Sequence, residues 1–214
     1  MIDKQLIMRK HQAGSALIIG LIILLLMFIL GTAGIRTTIL EERMSGNVRD
    51  LNNAFQAAEL GLQDGEQDIS NKDPITFRKV RPSDYKKLNF SANCINTSVP
   101  SLNGLCLAAD TNPPKWIAIN WNTTGPSRGY GQYTSLNTSV GASTITHPPA
   151  LASVSRQPRY IIEYLYEIGS LVIGRAPAPI TIYYRVTTQG YGIAVADSTN
   201  QPLARIMLQS VYGR

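Results

Sequence analysis

The run from Ser15 to Ile35, SALIIGLIILLLMFILGTAGI, holds no charged residue. As a helix it is long enough to cross a hydrocarbon core of about 30 Å. Lys4, Arg9, Lys10 and His11 precede it. The positive-inside rule therefore keeps the N-terminus cytoplasmic and exports the rest of the chain. Three fates compete for such a run. A cleaved secretory signal has an apolar core of about 7–15 residues followed by a small-residue cleavage site. This run is longer, although Thr32-Ala33-Gly34 imitates such a site. An uncut signal anchor is the plainest alternative. The third fate is a cut after Gly14, which leaves the whole apolar helix on the mature chain with Ser15 as its first residue.

The residues after Ile35 favour the third fate. No turn signal intervenes, and the helical pattern continues from Arg36 to Gln67. Leu40, Met44, Val48, Leu51, Phe55, Ala58 and Leu62 recur every three or four positions, which is one stripe of a helix. Glu41, Glu42, Arg43, Arg49, Asp50, Gln56, Asp64 and Glu66 fall largely off that stripe. Asn71-Lys72-Asp73-Pro74 ends the pattern, because a residue before proline avoids the α region. One helix on the order of 80 Å long is expected, apolar all round at first and amphipathic afterwards. Gly20, Gly31, Gly34, Gly46, Gly61 and Gly65 weaken it by about 1 kcal/mol each relative to alanine. The Gly31–Gly34 stretch is the expected place for a bend or break.

The rest of the 214 residues reads as one exported domain. Cys94 and Cys106 lie in that part, so a disulfide is the natural reading. Two unrelated thiols are the alternative, and two cysteines with no nearby histidine are too few for a metal site. The formal net charge of +6 is mild. Arg78, Lys79, Arg81, Lys86 and Lys87 are the nearest approach to a basic patch, and they read as a solvated loop, so a nucleic-acid partner is not expected. His11 and His147 are the only histidines. His147 stands before two prolines, a poor place for a catalytic base. The Gly190-Tyr191-Gly192 string reads as a strand distortion rather than a phosphate cradle. Adjacent Glu41 and Glu42 do not face each other on a helix, and they read as a solvated or intersubunit face. No enzyme, cofactor or metal is expected.

Asn89 to Pro158 is rich in Asn, Thr, Ser, Gly and Pro and reads as long loops, with a short strand at Trp116–Trp121. Three better strands come after it: Tyr160–Glu167, Ile180–Thr187, and one centred on Ile206 and Leu208. Asp197 to Pro202 supplies the turn between the last two. Four strands after one long helix predict an α+β layer pair, an antiparallel sheet packed on the helix stripe.

The stretch Arg36-Thr-Thr-Ile-Leu-Glu-Glu-Arg-Met-Ser-Gly-Asn47, then Asp50, then Ala54-Phe-Gln-Ala-Ala-Glu59, resembles the PilX-type minor pilins of type IV pili. Tyr184-Arg-Val-Thr187 and Leu208-Gln-Ser-Val-Tyr212 resemble the ending of that family, while residues 75–158 carry no resemblance. The resemblance implies the type IV pilin fold, with a prepilin leader at 1–14 and a long helix at 15–72. That helix would span the membrane at 15–35 and be amphipathic at 36–72, ahead of a periplasmic globular β domain at 73–214. It implies that prepilin peptidase cuts between Gly14 and Ser15, that Ser15 becomes N-methylated, and that the chain waits in the inner membrane before joining a surface pilus. Its partners would be other minor pilins, the major pilin and a tip adhesin. Its roles would be priming of pilus assembly, adhesion and twitching motility. Most pilins have glutamate at the fifth residue after the cleavage glycine, where it neutralises a neighbour's N-terminal amine; PilX-type pilins and the tip pseudopilin of type II secretion commonly lack it. Ile19 stands there in this chain, which implies a scarce subunit at or near a filament tip. Ile19 and the stripe Leu40, Met44, Val48, Leu51, Phe55, Ala58 and Leu62 are the expected assembly residues. Two other readings share the anchor: a type II secretion pseudopilin, and a membrane-anchored periplasmic binding protein that never polymerises.

Overall fold

The computed structural model describes residues 15–70, 85–108, 113–123, 125–134, 136–140, 143–147, 150–169 and 180–214. Helix α1 covers Ser15–Ser70. It is unbroken through Gly31–Gly34, so neither glycine melts it. Its first part belongs to a unit ending at Asn47, and its second part to a unit spanning Val48–Arg214.

The second unit is built on one five-stranded sheet. Strands β1 (Leu105–Leu107), β2 (Arg128–Gly129), β5 (Arg159–Ile168), β6 (Thr181–Tyr191) and β7 (Arg205–Gly213) compose it. A separate hairpin joins β3 (Leu136–Val140) to β4 (Ser143–His147). The β5–β6–β7 meander is antiparallel, as expected. Two very short strands share the other edge of β5: β1 runs parallel to it at Ile162–Tyr164, and β2 runs antiparallel to it at Arg159–Tyr160. Neither is long enough to show a period in the sequence. The parallel pairing departs from the wholly antiparallel sheet expected.

Both faces of the sheet are covered. Tyr160, Ile162, Tyr164, Tyr184 and Val186 join Ile69 of α1 in the larger core, with Tyr85, Phe90, Leu102 and Leu105. Ile161 points the other way, into a smaller core with Cys94, Cys106 and Trp121. Burying the ten side chains of the larger cluster, at about 1.5–3 kcal/mol for each large apolar one, makes it the main source of cohesion. Cys94 and Cys106 are joined by a disulfide, as expected. It ties the loop before β1 to β1 itself.

Two local expectations fail. Trp116–Trp121 is not a strand: Lys115–Ala118 forms one helical turn, α2. Pro114 starts it, with its carbonyl accepting the Ile117 and Ala118 amides at 3.0 and 3.2 Å. The indole of Trp121 then donates to the Trp116 carbonyl at 3.0 Å, closing the segment on itself. The period-two spacing of apolar residues there comes from a turn. Gly190 is also not a distortion, since β6 pairs with β7 in unbroken register through Gly190 and Tyr191. Its reason is contact. A Cβ at Gly190 would lie 2.3 Å from both the Ala54 carbonyl oxygen and the Ala58 nitrogen of α1. Gly61 serves the same approach from the helix side, where a Cβ would lie 2.4 Å from Thr188 Oγ1.

The helix face laid on the sheet is therefore not the apolar stripe. Asp50, Ala54, Ala57, Ala58, Gly61, Asp64, Gly65, Asp68 and Ile69 are buried. Leu51 and Phe55 are 47% and 43% exposed. Of the expected stripe only Ala58 is fully covered, and Leu62 is half-buried. Small side chains let two backbones approach closely, and that contact outweighs the size of the apolar side chains on the neighbouring face.

Candidate functional site

The sequence nominates α1 as the working element, and the structure divides its residues into two kinds. Every described side chain from Ala16 to Arg49 is exposed. Leu17, Leu24, Met27 and Leu30 are each at least 70% exposed. Among the described residues one helix is long and apolar enough to cross a membrane, and it is this one. Ser15 is the first described residue of this helix, and Gly14 lies outside the described residues. Ile19, Leu40 and Met44 are exposed in the first unit. Val48, Leu51 and Phe55 are exposed in the second. An apolar helix surface of this extent requires lipid or protein neighbours, because monomeric soluble proteins rarely leave a contiguous apolar patch larger than a few hundred Å² in water.

The second kind is the sheet-facing row, where three aspartates hold the domain to the helix. Asp50 Oδ1 accepts the backbone amides of Ile193 and Ala194 at 2.6 and 3.0 Å. Gly192 makes room for it, since a Cβ there would lie 2.4 Å from the same oxygen. Asp64 accepts the Gly131 amide at 2.8 Å and the Thr134 hydroxyl. Asp68, one turn further, ion-pairs with Arg128, whose side chain is 1% exposed. Its carboxylate also accepts the Tyr85 hydroxyl at 2.5 Å and the Tyr160 hydroxyl at 2.9 Å. Arg128 also donates through Nη1 to the Tyr85 hydroxyl at 3.1 Å, through Nε to the Asn103 carbonyl at 2.7 Å and through Nη2 to that of Ser101 at 3.0 Å. Its guanidinium lies 4.2 Å from the centre of the Tyr133 ring. Thus Asp50, Asp64 and Asp68 each tie a different loop to one helix face. The sequence pattern sets Asp50 and Asp64 off the apolar stripe. Their spacing, close to a whole number of helical turns together with Asp68, is the signal that places them on one face.

Burial differs in consequence along this row. Burial of Arg128 pulls its pKa down, but the Asp68 carboxylate outweighs that, and the net shift is upward. Asp64 has no such cation. Burial pushes its carboxyl up from 3.8 to about 6, against the bonds from Thr134 and Gly131, with the neighbouring Asp68 charge adding to the rise. A raised folded-state pKa means that the native chain binds the proton more tightly than the unfolded chain. The contribution is fully present below about pH 4 and is lost as pH rises through about 6. Asp64→Asn removes the ionisation, with its carbonyl still able to accept from Gly131 and its amide able to donate to the Thr134 oxygen. The variant is expected to be more stable than the parent near neutral pH, by up to about 3 kcal/mol. It should also lose the decline between about pH 4 and 6. Urea unfolding of the full chain in detergent at several pH values measures this. A variant less stable than the parent at neutral pH would contradict it.

Other nominated residues contribute less. Lys86 and Lys87 are exposed, while Arg78, Lys79 and Arg81, like His11, lie outside the described residues. His147 ends β4 rather than standing in a loop. No group of His, Cys, Asp or Glu that could hold a metal occurs among the described residues.

Residues 13–63 match the PilX N-terminal family. Residues 102–214, more than half of the chain, match the C-terminal family of the type IV pilus assembly protein PilX. The chain belongs to the PilX family. It is a minor pilin of type IV pilus assembly, and members of the family are structural components of pili. Searches of curated proteins and of solved structures returned no match. The PilX N-terminal match covers the exposed apolar helix and the sheet-facing row from Asp50 to Gly61. The C-terminal match covers the sheet and Arg128.

Proposed function

We propose that this PilX-family chain enters the pilus by exchanging the lipid around its N-terminal helix for the helices of other pilins. Prepilin peptidase cuts after Gly14 and frees Ser15 as the mature N-terminus. The apolar segment then sits in the inner membrane with the C-terminal unit in the periplasm. On assembly, Leu51 and Phe55 join the apolar residues before them in contacts with neighbouring helices. The observation that carries this is the division of α1: its sheet-facing row is fully used in folding, while the large apolar side chains remain uncovered.

Ile19 bears on position in the filament. A carboxylate at that site could pair with the amine of the subunit above, and isoleucine cannot. A subunit with no neighbour above has no need of the pairing, so we place this chain at or near the tip, in low copy, with other minor pilins beneath it. Adhesion and twitching motility then depend on this chain through the pili it helps to initiate. Processing gives the test. Gly14→Leu is expected to accumulate the uncut precursor in the inner membrane and to reduce piliation, read by immunoblot and electron microscopy. Normal processing and piliation in that variant would refute the cleavage site.

A further inference from the structure

The back face of the sheet, away from α1, carries an unbalanced group of cations. Arg159 stands on β5 opposite Gln189 of β6, and Arg205 stands on β7 opposite Tyr191. Arg156 lies over the Tyr191 ring, 5.6 Å from its centre. Its backbone is fixed there because Ser155 bonds the Gly192 carbonyl through its amide at 2.8 Å and its hydroxyl at 2.6 Å. Tyr191 itself is 1% exposed and donates to Gln189 Oε1 at 2.9 Å. Burial raises its pKa against the three arginines, which lower it. It therefore stays a neutral phenol and supplies no counter-charge. Arg159 is pushed down by burial and by Arg156. Among the described residues, the ion pairs are those of Arg128 and Arg185. Among the described residues Arg156, Arg159 and Arg205 have no carboxylate partner.

Three guanidiniums around one phenol repel one another, and nothing described on this face offsets the repulsion. A cluster of one sign of charge draws anions to it, and guanidinium forks match carboxylate and phosphate oxygens. The geometry decides which kind. Arg159 is held by Ser127, with Nε 2.7 Å from Oγ and Nη2 2.6 Å from the carbonyl oxygen. Arg156 is held by Asn122 through Nη1. Strand β6 separates Arg159 from Arg205, and their partners Gln189 and Tyr191 are two residues apart along it, which sets their backbones about 12 Å apart. The tethered heads are not free to converge on a single phosphate. A strand or helix bearing several carboxylates meets them separately, one fork to one carboxylate. The rim favours protein as well: Ile193 and Leu203, beside this end of β6 and β7, are 52% and 65% exposed. An apolar surface bordered by arginine is the composition of a protein interface.

We propose that Arg156, Arg159 and Arg205 form a binding site for a carboxylate-rich segment of another pilus subunit. Naming the partner as a pilus subunit rests on the pilin reading above. The binding of carboxylates does not, so the two can fail separately. The test uses the full chain in a non-ionic detergent and a synthetic oligoglutamate peptide as probe, titrated by calorimetry at low and high salt. Binding is expected at low salt and should weaken as salt screens it. Arg156→Gln with Arg205→Gln should weaken it by at least about tenfold, with the unfolding midpoint unchanged. Where the double variant fails to fold, Arg205→Gln alone, at an exposed position, is read in the same way. Lysine at both positions should restore part of the loss. Absence of binding at low salt, or equal affinity in the glutamine variants, would overturn the proposal. Tighter binding of inorganic phosphate or of a single-stranded oligonucleotide of equal charge would overturn it too, in favour of a phosphate ligand.

Discussion

Asp68→Ala is expected to unfold much of the C-terminal unit at growth temperature. The substitution leaves Arg128 buried at 1% exposure with no carboxylate. A carboxylic acid in that position could take up a proton, but a guanidinium cannot shed one. Breaking a buried pair from one side costs about 3–5 kcal/mol. A domain of this kind has about 5–15 kcal/mol in all. Tyr85 and Tyr160 lose an acceptor at the same time. The reverse change, Arg128→Met, should be milder. Its apolar chain fills the same space, and Asp68 keeps the two tyrosine hydroxyls. Thermal unfolding of the three proteins checks the ranking. Equal stability of Asp68→Ala and the parent would show that the pair does not hold the loops to the helix.

Phe55→Asp should have the opposite profile. Phe55 is 43% exposed and lies off the sheet-facing row, so the isolated chain should lose less than about 0.5 kcal/mol. In a helix bundle the same carboxylate would be buried against apolar neighbours with no partner, at a cost of several kcal/mol. The chain should therefore accumulate normally in the inner membrane and be missing from sheared pili, by immunoblot of both fractions. Phe55→Asp found in pili at the parental level would remove the helix stripe from the assembly contact. The two substitutions together separate the roles within one helix: Asp68 belongs to the fold, Phe55 to the filament.

The helix was legible because two strong patterns mark it. An uncharged run of membrane length and a stripe recurring every three or four residues point to α1, which is helical throughout its described residues, while Asn71–Pro74, the expected end, lies outside them. Strands β6 and β7 showed themselves by alternation, and β5 by its richness in Ile and Tyr. Concealed in the sequence was the side of α1 that meets the sheet. Hydrophobic periodicity points to the largest apolar side chains, and in this chain those lie outside the fold. The buried row combines Ala54, Ala57, Ala58, Gly61 and Gly65 with three aspartates, and read one at a time those residues look like a weak, solvated helix face. Their meaning depends on partners far along the chain, such as Gly190 opposite Ala54 and Arg128 opposite Asp68. The same holds for β1 and β2. Each has too few residues to show a period, and each is positioned by β5, from a distance that no local pattern records. The turn at Lys115–Ala118 misled for a simpler reason: six residues with apolar alternation do not distinguish a strand from a proline-started turn.

Whether this minor pilin becomes part of a filament through an intact N-terminal helix is read most directly by mass spectrometry of the chain recovered from sheared, purified pili. The expected result is a low-abundance protein whose N-terminal peptide begins at Ser15, with a methylated amine, and which retains everything from Ala16 onward. A chain absent from pili and found only in the membrane with Met1 intact would contradict it.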